Sequence, residues 1–152
     1  MTQLERIASE LQHSLMGPAW HGESLFELLT GVTSEAAAAK PIPGAHSMHE
    51  IVLHLTRWVE IASGALNAQR IPEWPFPDDW PSPESTPWDR ALADLKQATG
   101  ELAGYTGQIR EEQLDTQASG RAYSLGVLLL GVVQHAAYHG GQIALLRKLT
   151  RV

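Results

Sequence analysis

The sequence contains no cysteine, which excludes disulfide bonds, thiolate nucleophiles and cysteine-ligated metal sites. It also has little positive charge, since 11 Lys and Arg stand against 17 Asp and Glu for a net charge of -6. The densest basic run is only Arg147, Lys148 and Arg151, near the end of the chain. Proteins that bind nucleic acid concentrate Lys and Arg on one face, so we expect no nucleic-acid partner.

Long apolar runs and strand signals are missing as well. No segment reaches the roughly 18 apolar residues that a membrane span needs, so no membrane partner is expected. Residues 1–12 carry Glu5, Arg6 and Glu10 where a signal peptide would be apolar, which favours a cytoplasmic protein. Alternating β-branched stretches and Asn-Gly turns are absent, which favours an all-α fold. A length of 152 residues suits one domain, spanning 1–152.

Helical periodicity predicts four helices. The first covers about residues 2–16, is interrupted at Gly17-Pro18 and resumes near Trp20 until Gly31. The second runs from Ser47 to about Gln69, with Ser47 as N-cap and Glu50 completing a capping box.

The third and fourth helices follow a long connection. Thr86 as N-cap and Pro87 at the first helical position should start the third helix, which carries Ile109 and fades at residues 111–112. The fourth should cover about residues 124–149. We therefore predict an all-α, four-helix bundle with a long crossover between helices 2 and 3.

Residues 71–87 form that crossover, and their composition excludes a helix. Six prolines lie in this stretch, interleaved with Trp74, Phe76 and Trp80. A disordered linker is one interpretation, but three large aromatic residues favour an ordered loop that packs on the bundle.

The residues that can carry chemistry are the seven histidines: His13, His21, His46, His49, His54, His135 and His139. His135 and His139 lie four residues apart in the fourth helix, so their rings leave the same face one turn apart. That spacing allows a helix to chelate one metal ion. A zinc-peptidase motif would need Glu directly after the first His, where this sequence has Ala136.

A third ligand is expected from the second helix. His54 borders its apolar stripe and can point inward, whereas His49 lies about 140° away on the helical wheel. Glu50, one turn before His54, is a candidate outer partner or extra ligand. We expect the nitrogens of His54, His135 and His139 to lie within about 4 Å of one another.

The alternative is that these histidines are hydrogen-bonded core residues without a metal, which is the commoner role of a lone buried His. Two uncompensated imidazoles side by side are costly to bury, which favours the metal site. The other histidines, His13, His21 and His46, are interpreted as surface or loop residues.

Several motifs together resemble the DinB/YfiT-like superfamily over nearly the whole chain. They are G-P-A-W-H-G-E-S-L at residues 17–25, P-I-P-G-A-H-S at 41–47, H-S-M-H-E-I-V-L-H-L-T-R-W at 46–58 and H-A-A-Y-H-G-G-Q-I-A-L-L-R-K-L at 135–149. The resemblance implies an up-down-down-up bundle, often a homodimer, whose nickel or zinc ion is held by His54, His135 and His139.

Characterised members of that superfamily include thiol S-transferases that use bacillithiol or mycothiol, and a maleylpyruvate isomerase; many others are called metal-dependent hydrolases without a known activity. Two positions depart from the pattern. His49 stands where an aromatic residue is common, and Gly140 stands where a basic residue is common. The Gly140-Gly141 step costs about 2 kcal/mol of helix propensity and allows close approach of a neighbouring group.

These observations predict a metal-dependent enzyme with an open three-histidine site, of the thiol S-transferase or hydrolase kind. Its partner would be a small-molecule substrate, including a low-molecular-weight thiol. Glu50 and Tyr138 are the candidates for acid-base or supporting catalytic roles. The competing interpretation is a non-catalytic, stress-associated bundle that binds a ligand or a partner.

Overall fold

Helices account for all the regular structure in the part of the chain that is described. The computed structural model describes residues 1–150 and contains six α-helices and no β-strand there. They are α1 (Gln3–Met16), α2 (Leu25–Leu29), α3 (Ser34–Ala38), α4 (Met48–Leu66), α5 (Trp88–Thr106) and α6 (Leu125–Thr150). Single 3₁₀ turns occur at Pro83–Ser85 and Glu111–Asp115. The predicted all-α class is confirmed.

The four long helices pack around shared apolar clusters. Helix α4 contacts both α5 and α6, and α1 contacts the same two helices. Each of two buried clusters draws side chains from all four long helices; the first contains Leu15, Ile51, Leu95 and Ile143, and the second contains Ile7, Val59, Leu102 and Leu129. Full burial of each such side chain contributes about 1.5–3 kcal/mol.

The start of α4, which positions one candidate ligand, follows the sequence prediction. The Ser47 hydroxyl accepts a hydrogen bond from the Glu50 amide at 3.2 Å, and the Glu50 carboxylate accepts one from the Ser47 amide at 2.8 Å. This is the predicted capping box. The helix ends at Leu66 and not near Gln69, because Ala68 adopts a left-handed conformation with φ 60°.

Other predicted boundaries need correction. Helix α5 begins at Trp88 with Pro87 as its N-cap, because Pro87 is extended at ψ 151° and is not yet helical. The same helix ends at Thr106, so Ile109 lies beyond it. After the Gly17-Pro18 interruption the chain becomes helical only at Leu25, and Trp20 is fully exposed. Helix α3 was not expected from the sequence.

The segment between α4 and α5, residues 67–87, is ordered and packs on the bundle as predicted. Phe76 and Trp80 pack against the two apolar clusters. Trp74 is 67% exposed, but its indole N–H donates a hydrogen bond to Asp79 at 3.1 Å. Among residues 1–150, none of the helices combines the length and apolarity that crossing a membrane would require.

Candidate metal centre

Three histidines from two packed helices meet in the interior. His135 and His139 lie one turn apart on α6, with ring centroids 4.5 Å apart. His54 on α4 faces them, with its ring centroid 4.9 Å from that of His135 and 5.0 Å from that of His139. The contact between α4 and α6 thus brings together the three residues that the sequence singled out.

The nitrogen atoms of these rings converge. His54 Nε2 lies 3.0 Å from His135 Nε2. One nitrogen from each of the three rings lies within 4.8 Å of the other two, so the set could hold a metal ion. The His54–His135 pair meets the expected nitrogen–nitrogen distance of about 4 Å. For all three residues together, the structure gives an upper limit of 4.8 Å between ligand nitrogens.

The crossover segment fixes the orientation of His54. Its Nδ1–H donates a hydrogen bond to the main-chain oxygen of Asp79 at 2.6 Å, and the Asp79 carboxylate lies 3.3 Å from the same nitrogen. Because a carbonyl oxygen can only accept, Nδ1 carries the proton and Nε2 keeps its lone pair. The lone pair therefore lies on the side of His135, as a metal ligand requires.

A second orienting contact acts on His139. Its Nδ1–H donates to the amide oxygen of Gln142 at 2.6 Å, one turn further along α6. The remaining nitrogen, Nε2, is then the unprotonated one. Two of the three rings are thus held in a single tautomer by acceptors on their outer side, the usual arrangement of metal-ligating histidines.

Burial keeps all three imidazoles neutral. Burial, together with the neighbouring His139 and His54, lowers the pKa of His135 to about 3. Burial lowers the pKa of His139 to about 4 against the opposing hydrogen bond to Gln142. Burial also lowers the pKa of His54, although Asp79 partly offsets it. Three neutral imidazoles with one nitrogen each at a common point fit a divalent cation.

An aromatic stack supports the site from the crossover side. The Trp80 indole lies parallel to the His54 ring at 3.9 Å, and His46 lies parallel to the other face of Trp80 at 3.5 Å. The His46 side chain is 46% exposed, and its Nδ1 lies 3.6 Å from the Glu50 carboxylate. His46 is an exposed loop residue, as interpreted from the sequence, and the stack is an additional contact that the sequence did not indicate.

Asp79, Trp80 and Gln142 were not identified from the sequence. Gln142 was recognisable in principle, because it follows His139 by three residues and so lies on the same helix face. Asp79 and Trp80 lie in an irregular segment, where no periodicity relates sequence separation to position in space.

His49 does not join the centre, as the helical wheel predicted. It is buried, and its Nε2 lies 3.0 Å from the Thr86 main-chain oxygen. Its ring meets the edge of Trp88 at 5.4 Å. His49 therefore connects α4 to the start of α5. The close approach expected at Gly140 is not found, since a Cβ there would lie 3.5 Å from Leu28 of α2, an ordinary van der Waals contact.

The two candidate catalytic residues, Glu50 and Tyr138, have different surroundings. The Glu50 carboxylate caps α4 and lies 2.8 Å from the Lys40 ammonium. Burial raises the pKa of Glu50, but the hydrogen bonds from Lys40 and Ser47 outweigh it and the net shift is downward. Tyr138 is 65% exposed, and its ring centroid lies 5.0 Å from that of His139.

Two cavities share the walls formed by His54 and His135. One, of about 460 Å³, is lined by Trp58, Trp74, Tyr123 and apolar residues of α6. The other, of about 540 Å³, is lined by His139, Tyr138, Gln142, His46 and Trp80, among others. Small molecules can therefore reach the histidines from two sides.

Comparison with known proteins agrees with this description. The fold is similar to the crystal structure of a conserved protein from Enterococcus faecalis, with a TM-score of 0.65 and 20% identity over 97% of this chain and 92% of that one. Identity this low shows the fold alone. No curated protein gives a significant match. The sequence model of the DinB superfamily matches residues 19–143, a span that includes His54, His135 and His139. The chain therefore belongs to the DinB superfamily.

Proposed function

We propose that the protein is a metal-dependent enzyme in which His54, His135 and His139 bind one nickel or zinc ion. The observation that carries the proposal is the 3.0 Å approach of His54 Nε2 to His135 Nε2, beside a third neutral imidazole. At this distance the two rings share one hydrogen bond or bind one ion, and the third neutral imidazole at the same point favours the ion. A divalent ion on three histidines keeps coordination positions free, where it activates water or binds a thiol.

The ion serves activity and not folding in this proposal. Both apolar clusters draw on all four long helices, and the histidines contribute to neither. A zinc finger, by contrast, lacks such a core and folds only with its metal. The proposal also includes the up-down-down-up order of the four long helices.

The substrates are small molecules, and one of them is a low-molecular-weight thiol in the transferase form of the proposal. The cavity beside His139 supports this, because Tyr138, Gln142 and His46 give it polar groups. Tyr138 is positioned to act as a proton donor at its rim. Glu50 acts indirectly, by orienting His46, whose nitrogen lies 3.6 Å from its carboxylate.

A homodimer is part of the proposal. Helix α6 exposes Val127, Leu130, Tyr138, Leu145 and Leu149, which recur at helical spacing and are 40–65% exposed. An apolar stripe along the most apolar helix favours contact with a second copy of the chain. The same stripe also supports the competing function, a non-catalytic bundle that binds a partner.

Metal analysis of untagged protein tests the proposal. We expect one zinc or nickel ion per chain, measured by elemental analysis and by calorimetric titration of the chelated protein. His54→Ala, His135→Ala and His139→Ala should each abolish binding, whereas the exposed His21→Ala should not. A screen of thiols with electrophiles, and of hydrolysable esters and amides, then separates the two enzyme classes. Metal binding without turnover in any assay would favour the non-catalytic bundle.

A further inference from the structure

The cavity lined by Trp58, Trp74 and Tyr123, here called the aromatic cavity, adjoins the candidate metal centre. His54 and His135 form part of its wall, and its volume is about 460 Å³. Sites for small molecules have volumes of about 300–1,000 Å³ and are mostly apolar, with a few polar groups at one place. The aromatic cavity has this size, and its polar groups lie at the end formed by the histidines.

The charges around the cavity disfavour an anionic ligand. Among the described residues that line it, Asp79 is the one charged side chain, and there is no Lys or Arg. A carboxylate, sulfonate or phosphate group inside the cavity would therefore lose its hydration without gaining a positive side chain.

The Asp79 carboxylate is held by two hydrogen bonds from the cavity wall. One carboxylate oxygen accepts a hydrogen bond from the Trp58 indole N–H at 2.8 Å, and the other accepts one from Trp74 at 3.1 Å. These two hydrogen bonds use the N–H groups of both indoles, which are their only polar groups. What Trp58 and Trp74 offer to a ligand is ring carbon, which suits a flat apolar group.

Helix α6 provides the opposite wall. Val127, Leu128 and Val132 line it, and Gly131 leaves a gap between them. A Cβ atom added at Gly131 would meet nothing within 4 Å. The missing side chain therefore leaves open space one helical turn before His135.

We propose that the aromatic cavity binds an uncharged, mainly apolar molecule with a flat aromatic or conjugated group, whose reactive end lies at His54 and His135. The role of this molecule as a substrate rests on the proposed function; its binding rests only on the cavity.

Three fluorescent probes with one naphthyl skeleton test the proposal. They are neutral phenylnaphthylamine, the anionic anilinonaphthalene sulfonate and a naphthyl trimethylammonium cation, each titrated into the chelated protein, in which no metal cation faces the cavity. We expect the neutral probe to bind one per chain, at least about tenfold more tightly than either ion, a difference of about 1.4 kcal/mol. Equal or tighter binding of the anion or the cation would overturn the proposal.

Gly131→Leu locates the bound probe. It should weaken binding of the neutral probe by about tenfold or more. Gly141→Leu is the matched control, because Gly141 also lies in α6, also has open space at its Cβ and lines neither cavity. Val127→Trp is a second filling variant in case Gly131→Leu does not fold. Unchanged binding in a folded filling variant would place the probe elsewhere and overturn the proposal.

Zinc titration distinguishes failure of this proposal from failure of the proposed function. Wild-type protein that binds the neutral probe but no zinc would refute the metal centre and leave the cavity proposal standing. Wild-type protein that binds zinc but binds all three probes equally well would refute the cavity proposal and leave the metal centre standing.

Discussion

The Nδ1 of His139 donates a hydrogen bond of 2.6 Å to the amide oxygen of Gln142, one turn further along the same helix. The bond sets the tautomer of His139 and leaves Nε2 unprotonated. The main-chain oxygen of Asp79 sets the tautomer of His54 in the same way, by accepting a hydrogen bond from its Nδ1. One candidate ligand is thus oriented within its own helix, and the other is oriented by the crossover segment.

Replacing Gln142 should weaken metal binding without removing a ligand. Gln142→Leu deletes the acceptor, so His139 can take either tautomer, and we expect zinc affinity to fall by about 10- to 100-fold. Gln142→Glu keeps an acceptor and should stay close to wild type. Calorimetric titration of all three proteins makes the comparison. Equal affinities for Gln142→Leu and wild type would mean that the hydrogen bond does not orient the ligand.

How much of this site the sequence predicts depends on helical regularity. His135 and His139 are related by a fixed rotation, and His54 borders an apolar stripe, so their convergence follows from packing two amphipathic faces. Asp79 and Trp80 were missed because they lie in irregular backbone, where position is set by tertiary contacts. Helix α3 was missed because its five residues are too few to show periodicity.

The predicted helix boundaries were wrong where the backbone conformation of one residue starts or ends the helix. The sequence predicted Pro87 inside the third helix, but its extended ψ makes it the residue before the helix. Ala68 ends α4 by adopting a left-handed conformation that no sequence rule assigns to alanine. These shifts of one to three residues leave His54 and the fold unaffected.

His135→Ala should remove metal binding and leave a folded protein. The variant loses one of three ligands, so affinity should fall by more than the 10- to 100-fold typical of outer partners. Its apolar clusters stay intact, and removal of a crowded buried imidazole makes the apoprotein as stable as chelated wild type or slightly more so. Circular dichroism and thermal melting of the two proteins test this. Loss of helical signal in either one would make the ion structural.

Trp80 should matter for both stability and the position of His54. Trp80→Ala removes the ring that separates His54 from His46 and should destabilise the fold by about 2–4 kcal/mol. Trp80→Phe keeps a flat ring and should recover most of that loss. Chemical denaturation gives the stability, and zinc titration gives the effect on the centre. Equal stability of Trp80→Ala and wild type would show that the stack contributes nothing.

The apolar stripe of α6 predicts self-association. Leu145→Glu places a charge within the stripe, where its desolvation is costly, and should convert a dimer into a monomer. Met16→Glu is the control, because Met16 of α1 is similarly exposed and lies outside the stripe. Light scattering coupled to size-exclusion chromatography measures the mass. A wild-type monomer at all concentrations would refute the homodimer.

Acid should destabilise the metal-free protein well before its carboxylates titrate. The folded-state pKa is about 3 for His135 and about 4 for His139, against an ordinary value of 6.5 for both. At pH values between the folded-state pKa and the ordinary pKa of each histidine, the unfolded chain binds more protons than the folded chain. The free energy of unfolding therefore falls as the pH falls. Each of the two histidines contributes a slope of up to about 1.4 kcal/mol per pH unit below pH 6.5. Above that pH the slope fades over about one pH unit, as the unfolded histidines lose their protons.

Urea denaturation in the presence of a chelator, at steps from about pH 7 to pH 5, measures this slope. Burial raises the pKa of Glu60, whose protonation opposes the histidine slope, so Glu60→Gln is used as the background for all variants. His139→Gln, which cannot be protonated, should lower the slope by about half and leave the part due to His135, whereas His21→Gln at an exposed position should leave the slope unchanged. Zinc should raise stability at pH 7 and lose that effect towards pH 5, because protons compete for the same nitrogens. A curve for the chelated wild type that stays flat over this range would show that the histidines accept protons in the folded state, and the argument for three neutral ligands would fail.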